Sequence, residues 1–366
     1  MNREKQSVLL FGGEENLGLP VIRCLGYFSG IPIHYAAIKK TTTRFSRYLS
    51  SFQLISGTTE QERLESLIKI INNTGSQVLI PIDERSVRLV IKNRDKITDS
   101  INIPHLADLK TFHQMVMKNA LNEWLESNDI PYAKIWPIPT DVEADIPDSL
   151  TFPVLFKPVW DRGGDIDALF INIFRCREEM INYFGENEIS SDDYFLQEYI
   201  PGYDIDCSLY CKEGEILAHT IQKGFILQPL QYSPAIELLH NIEFLDQIEQ
   251  IINKLKWSGI CHLDFRYDER EKNYKLIDFN ARFWTTLLGS LVAGVNFPYL
   301  AYQSALGETF PVPEYDDTHF VLTRSAIKEM FKFNKEHSYS FRQTGLYYAL
   351  QDPLPEIFKV SSLNNS

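Results

Sequence analysis

Apolar and polar positions alternate with a period of two over residues 261–267 and again over 274–279, with a charged stretch, 268–273, between them. This alternation predicts a β-hairpin with one face buried and the other free. Asp264 falls on its first strand, and Asp278 and Asn280 fall at the end of its second, so pairing predicts that two carboxylates and an amide converge. Closer to the start of the chain the period changes. Residues 7–11 are a short apolar run, 17–29 carry apolar residues at helical spacing, and 31–37 form a second apolar run. Strand, helix and strand in that order predict a parallel sheet. Residues 60–73 place Leu64, Leu67, Ile68 and Ile71 on one helical face, and 78–82 read as a further buried strand ending in Asp83-Glu84. Residues 106–127 predict two helices that break near Lys118, and Asp129-Ile130-Pro131 closes the second.

Beyond that point, residues 131–150 are rich in Pro and Asp and read as a linker. A strand at 154–156 runs into Lys157 and then into a loop with Gly163-Gly164. Residues 194–200 predict a strand leading to Pro201-Gly202, 205–210 and 215–222 a hairpin around Gly214, and 244–256 an amphipathic helix. A helix at 299–306 follows, and Tyr347-Tyr348 predict that the end of the chain packs back on the body. The fold class expected is α/β (α+β), with the parallel strand–helix–strand unit in front.

The 366 residues suffice for two or three cores. A net charge of -13 argues against nucleic acid as a partner, since phosphate affinity comes from clustered Lys and Arg, and against an anionic membrane surface. The start of the chain has no long apolar stretch, and no run is long enough to span a bilayer. Five scattered cysteines complete no zinc pattern and predict reduced thiols, hence a cytoplasmic location.

The candidate chemistry sits in four places. Asp264, Asp278 and Asn280 offer hard oxygen ligands suited to Mg²⁺ held together with phosphates, and Arg282 extends from the same face. Lys157 ends a buried strand, where its charge needs a use, and the glycine loop beside it suits a lid over a polyphosphate, with Arg162 nearby. Lys118 opens a helix. Gly12-Gly13 lacks the full Gly-x-Gly-x-x-Gly pattern, and Glu14-Glu15 repel an anion there, so it reads as a tight turn. Asp83-Glu84 border a crevice at the carboxyl ends of the strands, where an ammonium group is attracted or the following helix is capped.

The run Asp278-Phe279-Asn280-Ala281-Arg282, with Asp264 on the preceding strand, resembles the metal-binding end of the ATP-grasp superfamily, whose pattern is an acid on one strand and Glu-x-Asn-x-Arg on the next. Asp278 stands where the family has Glu. Phe283-Trp284 and Gly289 are similar to the predicted carboligase branch. The resemblance covers about residues 1–310 and implies roles for further positions. Lys118 and Lys157 would be the two ATP-phosphate lysines, and Gly163-Gly164 the loop over the phosphates. Gln197-Glu198-Tyr199-Ile200-Pro201-Gly202-Tyr203-Asp204 would be the adenine hinge, with backbone groups near Glu198 and Ile200 on the base and Asp204 on the ribose. Asp206 is the alternative for the ribose, Lys223 would face the phosphates, and Arg282 with Lys157 would act in catalysis. His262 stands where some dipeptide-forming relatives have arginine.

The implied division is a Rossmann-like domain at 1–117, linker helix and lid at 118–192, a central domain with the metal site at 193–310, and an extension at 311–366. The implied cofactors are ATP with Mg²⁺ (or Mn²⁺). The implied reaction activates a carboxylate as an acyl phosphate and joins it to an amine, the substrates being small or polymer-linked and the assembly a homodimer. The alternatives are a bicarbonate-using carboxylase or carbamoyl-phosphate type of enzyme and a non-catalytic nucleotide-binding module. The chain does not name the acid or the amine, because such contacts come from variable loops.

Overall fold

The structure, a computed structural model, describes residues 5–139, 146–147, 149–158, 171–187, 189, 193–225, 233–330 and 339–363. The apolar runs near the start become strands β1 (Val8–Gly12), β2 (Ile33–Ala37), β3 (Leu49–Leu54) and β4 (Val78–Pro81), all parallel in the order β3-β2-β1-β4. Helix α1 (Glu15–Ser29) connects β1 to β2, and α2 (Glu60–Thr74) connects β3 to β4. Thr59 and Glu62 form a reciprocal cap at the start of α2, and Gly75 closes it in the left-handed region, so both ends of α2 are set by local sequence. Helices α3 (Glu84–Lys92) and α4 (Arg94–Thr98) follow, then α5 (Leu109–Val116) and α6 (Lys118–Ser127), with the break at Met117 that the pattern predicts.

A second sheet, antiparallel in the order β5-β8-β6-β7, comprises β5 (Ile135–Pro137), β6 (Val154–Pro158), β7 (Asn172–Phe174) and β8 (Tyr194–Glu198). Helix α7 (Arg177–Glu186) lies between β7 and β8 in the chain, and Trp136, Val154, Phe156, Phe174, Met180 and Leu196 form a core of their own. The stretch read as a linker thus contributes β5 to this sheet, because Trp136 has a core to enter.

The third sheet holds β9 (Gly202–Lys212), β10 (Glu215–Gly224), β11 (Ala235–Leu239), β12 (Gly259–Asp268), β13 (Asn273–Asn280) and β14 (Thr318–Val321), in the order β13-β12-β9-β10-β11-β14. Helix α8 (Ile242–Leu255) covers one face, burying Phe244, Ile248, Ile251, Ile252 and Leu255 at three- and four-residue spacing against Ile205, Cys207, Leu209, Leu263 and Phe265. Asn241 caps α8 through the Phe244 N–H at 3.0 Å. Truncating Phe244 to Ala in such a core costs about 3–5 kcal/mol. Helices α9 (Leu287–Ala293) and α10 (Phe297–Ala305) join the central sheet to the N-terminal one, since Leu287, Phe297 and Ala301 share a cluster with Val8, Val21 and Tyr35.

Two expected boundaries shift. β8 pairs in the second sheet, so that unit extends past residue 192, and β14 pairs with β11, so the central sheet extends past residue 310. Helices α11 (Thr323–Met330), α12 (Gly345–Gln351) and α13 (Leu354–Leu363) complete the chain. The end of the chain is anchored to the N-terminal domain through Asp352, which accepts from Ser46 Oγ and the Arg47 N–H, both at 2.8 Å, and pairs with buried Arg23 at 3.5 Å. All five cysteines are free thiols. Among the described residues no helix is long and apolar enough to cross a membrane.

Candidate functional site

The face of the central sheet away from α8 carries the charged residues, and alternation explains most of the placement. On β9, Ile205, Cys207 and Leu209 enter the core under α8, which leaves Asp204, Asp206 and Ser208 on the other face. On β12, His262, Asp264 and Arg266 share that face. Strict alternation on β13 would defeat the site. Tyr274 and Leu276 point into the core, so Asp278 would follow them. The register shifts instead: Phe265 pairs with Leu276 but Asp264 pairs with Asp278, so Ile277 is a bulge residue. The bulge re-aims the strand, sending Phe279 to the core and Asp278 and Asn280 to the charged face.

As a result, Asp206, Asp264 and Asp278 stand opposite one another on three adjacent strands. Like charges so placed repel and need cations nearby. Lys118 supplies one, its Nζ lying 2.5 Å from Asp278 Oδ1. His262 supplies another group, with Nε2 3.1 Å from Asp264 Oδ1 and Nδ1 2.9 Å from Ser208 Oγ. Asn280 Nδ2 donates to Asp264 Oδ2 at 3.0 Å, which leaves the amide oxygen of Asn280 for other partners. Burial first, and then Asp264, pushes the Asp206 carboxyl up to about 7. For Asp264 burial works upward but is outweighed by the His262 hydrogen bond and charge, so its carboxyl lies below the usual range. Hard oxygen donors in a mutually repelling row fit a divalent cation such as Mg²⁺ or Mn²⁺.

Lys157 comes from the second sheet. Its Nζ donates to Gln197 Oε1 at 2.9 Å. Burial and, next, the Lys118 charge bring it down to about 8, while Asp278, Asp264 and Asp204 pull the other way. The structure therefore brings Lys118 and Lys157 together at the aspartate row, although they belong to different units of the fold. Gly163, Gly164 and Arg162 lie outside the described residues.

The hinge differs in detail from the expectation. The Glu198 N–H is taken by the Lys134 carbonyl at 2.8 Å, and its carboxylate by Lys275 at 3.0 Å and Arg270 at 3.3 Å. Glu198 is thus an anchor, and the group left for a base edge is the Ile200 N–H, which makes no hydrogen bond among the described residues. Arg266, which sequence reasoning missed, clasps the hinge: it donates to the carbonyls of Ile200 at 2.5 Å and Gly202 at 2.7 Å and pairs with Asp204 at 2.5 Å. Gly202 has φ +138, and a Cβ there would lie 1.9 Å from the Tyr267 carbonyl oxygen, so only glycine fits the clasp. Asp206 is not a ribose group in this arrangement, since it lies in the aspartate row with Gln222 Nε2 donating to it at 3.0 Å. Lys223 does not join the row either. It pairs with Ile205, on the α8 face, and its Nζ lies 3.7 Å from the centre of the Tyr203 ring; Gln222, one residue earlier, faces the site instead.

From the N-terminal domain, Glu84 reaches the site. Arg282 Nε lies 3.8 Å from Glu84 Oε1, and Arg282 Nη1 donates to the Phe283 carbonyl at 2.9 Å. Burial pushes the Glu84 carboxyl up to about 7, against the pull of Arg282. Asp83 is different. It caps α3 through the Ser86 N–H at 2.9 Å and accepts from the Gly13 N–H at 2.6 Å, so it attracts no ammonium group. The same bond closes the Gly12-Gly13 turn with the chain's own carboxylate, and no free N–H cradle for a phosphate remains at Gly13.

The chain is similar to several known proteins. A family described as ATP-grasp in the biosynthetic pathway with Ter operon matches residues 190–329. A D-aspartate ligase from Enterococcus faecium (strain Aus0004) is 21% identical over 293 residues, 70% of this chain and 67% of that protein. Among solved structures, an L-amino acid ligase from Bacillus licheniformis is similar with a TM-score of 0.62 at 14% identity, covering 83% of this chain and 75% of the other. An N5-carboxyaminoimidazole synthetase from Staphylococcus aureus gives a TM-score of 0.64 at 12% identity, covering 90% and 86%.

Proposed function

We propose, for a chain that belongs to the ATP-grasp superfamily, an ATP-dependent ligase that activates a carboxylate as an acyl phosphate and joins it to an amine. One observation carries the reading: Lys118 and Lys157 meet a row of three aspartates, with Arg282 and Glu84 beside it. Phosphoryl transfer asks for positioning and charge neutralisation of this kind more than for a covalent catalyst. The names of two relatives, a D-aspartate ligase and an L-amino acid ligase, support ligation of an acid to an amine.

In this reading the Ile200 N–H meets the adenine edge and Asp204 the ribose, while Lys118, Lys157 and the Gly163-Gly164 loop meet the phosphates. Asp264, Asp278 and Asn280 would hold Mg²⁺ or Mn²⁺, which when bound neutralises phosphate charge during transfer. A carboxylate oxygen of the acid attacks the γ-phosphorus, the bond to the bridging oxygen breaks, and ADP leaves. The amine nitrogen then attacks the acyl carbon, the C–O bond breaks, and phosphate leaves. The guanidinium of Arg282 holds the planar carboxylate. The nitrogen sheds its surplus proton in this step, and Glu84, pushed up to about 7 by burial, is poised to take it at neutral pH.

The test is positional isotope exchange in labelled ATP, screened across acids. Exchange that depends on a carboxylic acid, with bicarbonate absent, is the expected result. Exchange driven by bicarbonate alone hands the case to carboxylation, and no exchange with any acid removes the acyl phosphate from the reading.

A further inference from the structure

We propose that Asp206, His262 and Asp264 form a site for one divalent transition ion of the manganese-to-zinc group, bound through an imidazole nitrogen and two carboxylates without any nucleotide. This goes beyond the function above, whose metal ligands are oxygen atoms of Asp264, Asp278 and Asn280.

The three residues stand on neighbouring strands, β9 and β12, with Asp206 directly opposite Asp264 and His262 opposite Ser208. One ligand atom from each lies within 4.8 Å of the other two. The His262 Nε2 to Asp264 Oδ1 separation of 3.1 Å equals, within error, the spacing of adjacent ligands around a metal with bonds of about 2.0–2.2 Å, which is about 3.0–3.4 Å.

The surroundings favour this geometry over a chance cluster. Metal-binding side chains are held by partners on their other atoms, which fix tautomer and direction. Each of the three has such a partner, and each partner lies outside the cluster. His262 Nδ1 is bonded to Ser208 Oγ at 2.9 Å, which leaves Nε2 for the site. Gln222 Nε2 donates to Asp206 Oδ2 at 3.0 Å, and Gln222 Oε1 in turn accepts from Thr286 Oγ1 at 2.8 Å. Asn280 Nδ2 holds Asp264 Oδ2 at 3.0 Å. The His262 ring is stacked on Trp284 with centroids 5.4 Å apart and planes at 13°, so it is not free to swing away. The second carboxylate-rich group of the molecule, Glu198, Asp268 and Glu271, lacks this character, because Lys275 already sits within 3.1 Å of all three.

The donor set names the class of ion. Mg²⁺ and Ca²⁺ take oxygen ligands, whereas an imidazole with two carboxylates suits Mn²⁺, Co²⁺ or Zn²⁺. Asp264 borders both this site and the nucleotide cleft, so an ion here lies against the phosphates without depending on them.

The experiment uses the full chain, stripped with chelator and free of nucleotide, titrated with Mn²⁺ alone. Bound ion is counted by the loss of the free-ion electron paramagnetic resonance signal, and its ligands are read by electron spin-echo envelope modulation. We expect one bound ion per chain with the modulation of a directly coordinated imidazole nitrogen. His262→Gln abolishes that modulation, and Ser208→Ala, which removes only the bond to Nδ1, weakens binding about 10-fold or more. Absence of nucleotide-free binding up to millimolar Mn²⁺, or a bound ion with no nitrogen modulation, overturns the proposal from the unmutated protein alone. Failure of the isotope-exchange test with these signals present counts against the ligase reading and leaves this site standing.

Discussion

In the proposed function, Lys157 links the acid–base state of the free protein to its affinity for ATP. Its ammonium donates to Gln197 Oε1, and burial together with the Lys118 charge brings it down to about 8. A polyphosphate beside it restores the charged form, so ATP binding must take up a proton wherever the free lysine has lost one. With a free value near 8, about one tenth of the lysine is neutral at pH 7 and about nine tenths at pH 9. The sign follows: affinity is full at and below neutral pH and is lost as pH rises past the free value. The expected loss is about tenfold in Kd between pH 7 and pH 9, with uptake of about 0.9 protons per ATP bound at pH 9. Titration calorimetry in buffers of different ionisation enthalpy measures both. Lys157→Met removes the pH dependence and weakens ATP about 10- to 100-fold, the worth of a charge-assisted hydrogen bond. A flat affinity across that range, with no proton uptake, refutes the argument for Lys157 as a phosphate group.

Asp278→Asn and Asn280→Ala should each abolish turnover while leaving the thermal unfolding transition within a few degrees of the unmutated protein, since both side chains face the cleft rather than the core; retained ATP-dependent activity in both removes them from the metal site. Glu84→Gln should lower kcat/KM for the amine by about 10²-fold and erase the rise of rate with pH near 7, whereas an unaltered pH profile excludes Glu84 as the proton acceptor. Residues 152–192 should gain hydrogen-exchange protection with a non-hydrolysable ATP analogue, and equal protection in both states speaks against a lid. Asp352→Ala should cost about 1–3 kcal/mol in urea unfolding, because Ser46 Oγ and the Arg47 N–H lose their acceptor and buried Arg23 keeps only Glu356 as an ion-pair partner.

The parts of the fold that local pattern determines were legible in the sequence. The period-two hairpin, the three apolar strands of the parallel sheet and the break at Met117 follow from burial and helix chemistry alone. What was not legible depends on long-range pairing. β14 is four residues in an otherwise irregular region and exists because β11 offers an edge. β5 is three residues that become a strand because Trp136 finds a core and β8 a partner. The site shows the same division. Asp264, Asp278 and Asn280 were visible as residue types, but the bulge at Ile277 that turns two of them to the correct face has no local signal. The acceptors of Arg266 lie more than 60 residues away in the chain, and so does Glu198, the acceptor that ties Lys275 to the hinge. Lys223 is the opposite case, since parity along the hairpin sets its face: it stands opposite core-facing Ile205.

Parity also bears on why the N-terminal domain matters to the chemistry. The central sheet presents the aspartate row, and the cations beside that row come from outside the sheet: Lys118 from the helix entering the second sheet, Lys157 from that sheet, and Arg282 from the turn after β13. Arg282 donates to the Phe283 carbonyl and lies in ion-pair range of Glu84, and only the second comes from the N-terminal domain. Asp83 cannot substitute for it, because both of its oxygens are spent on backbone N–H groups that tie β4 to the turn after β1. That tie fixes where α3 begins and therefore where Glu84 stands. A substitution at Asp83 should then act on the reaction through Glu84 and Arg282 without contact to either substrate. Asp83→Asn keeps the shape of the cap but replaces one acceptor by a donor facing the Gly13 or Ser86 N–H. Losing one such buried bond costs about 1–3 kcal/mol. The expected signature is a raised KM for the amine with ATP affinity unchanged, since Lys118, Lys157 and the hinge belong to other units. If ATP affinity falls in step with the amine, the two halves of the site are coupled more tightly than these contacts imply, and Glu84 loses its separate role.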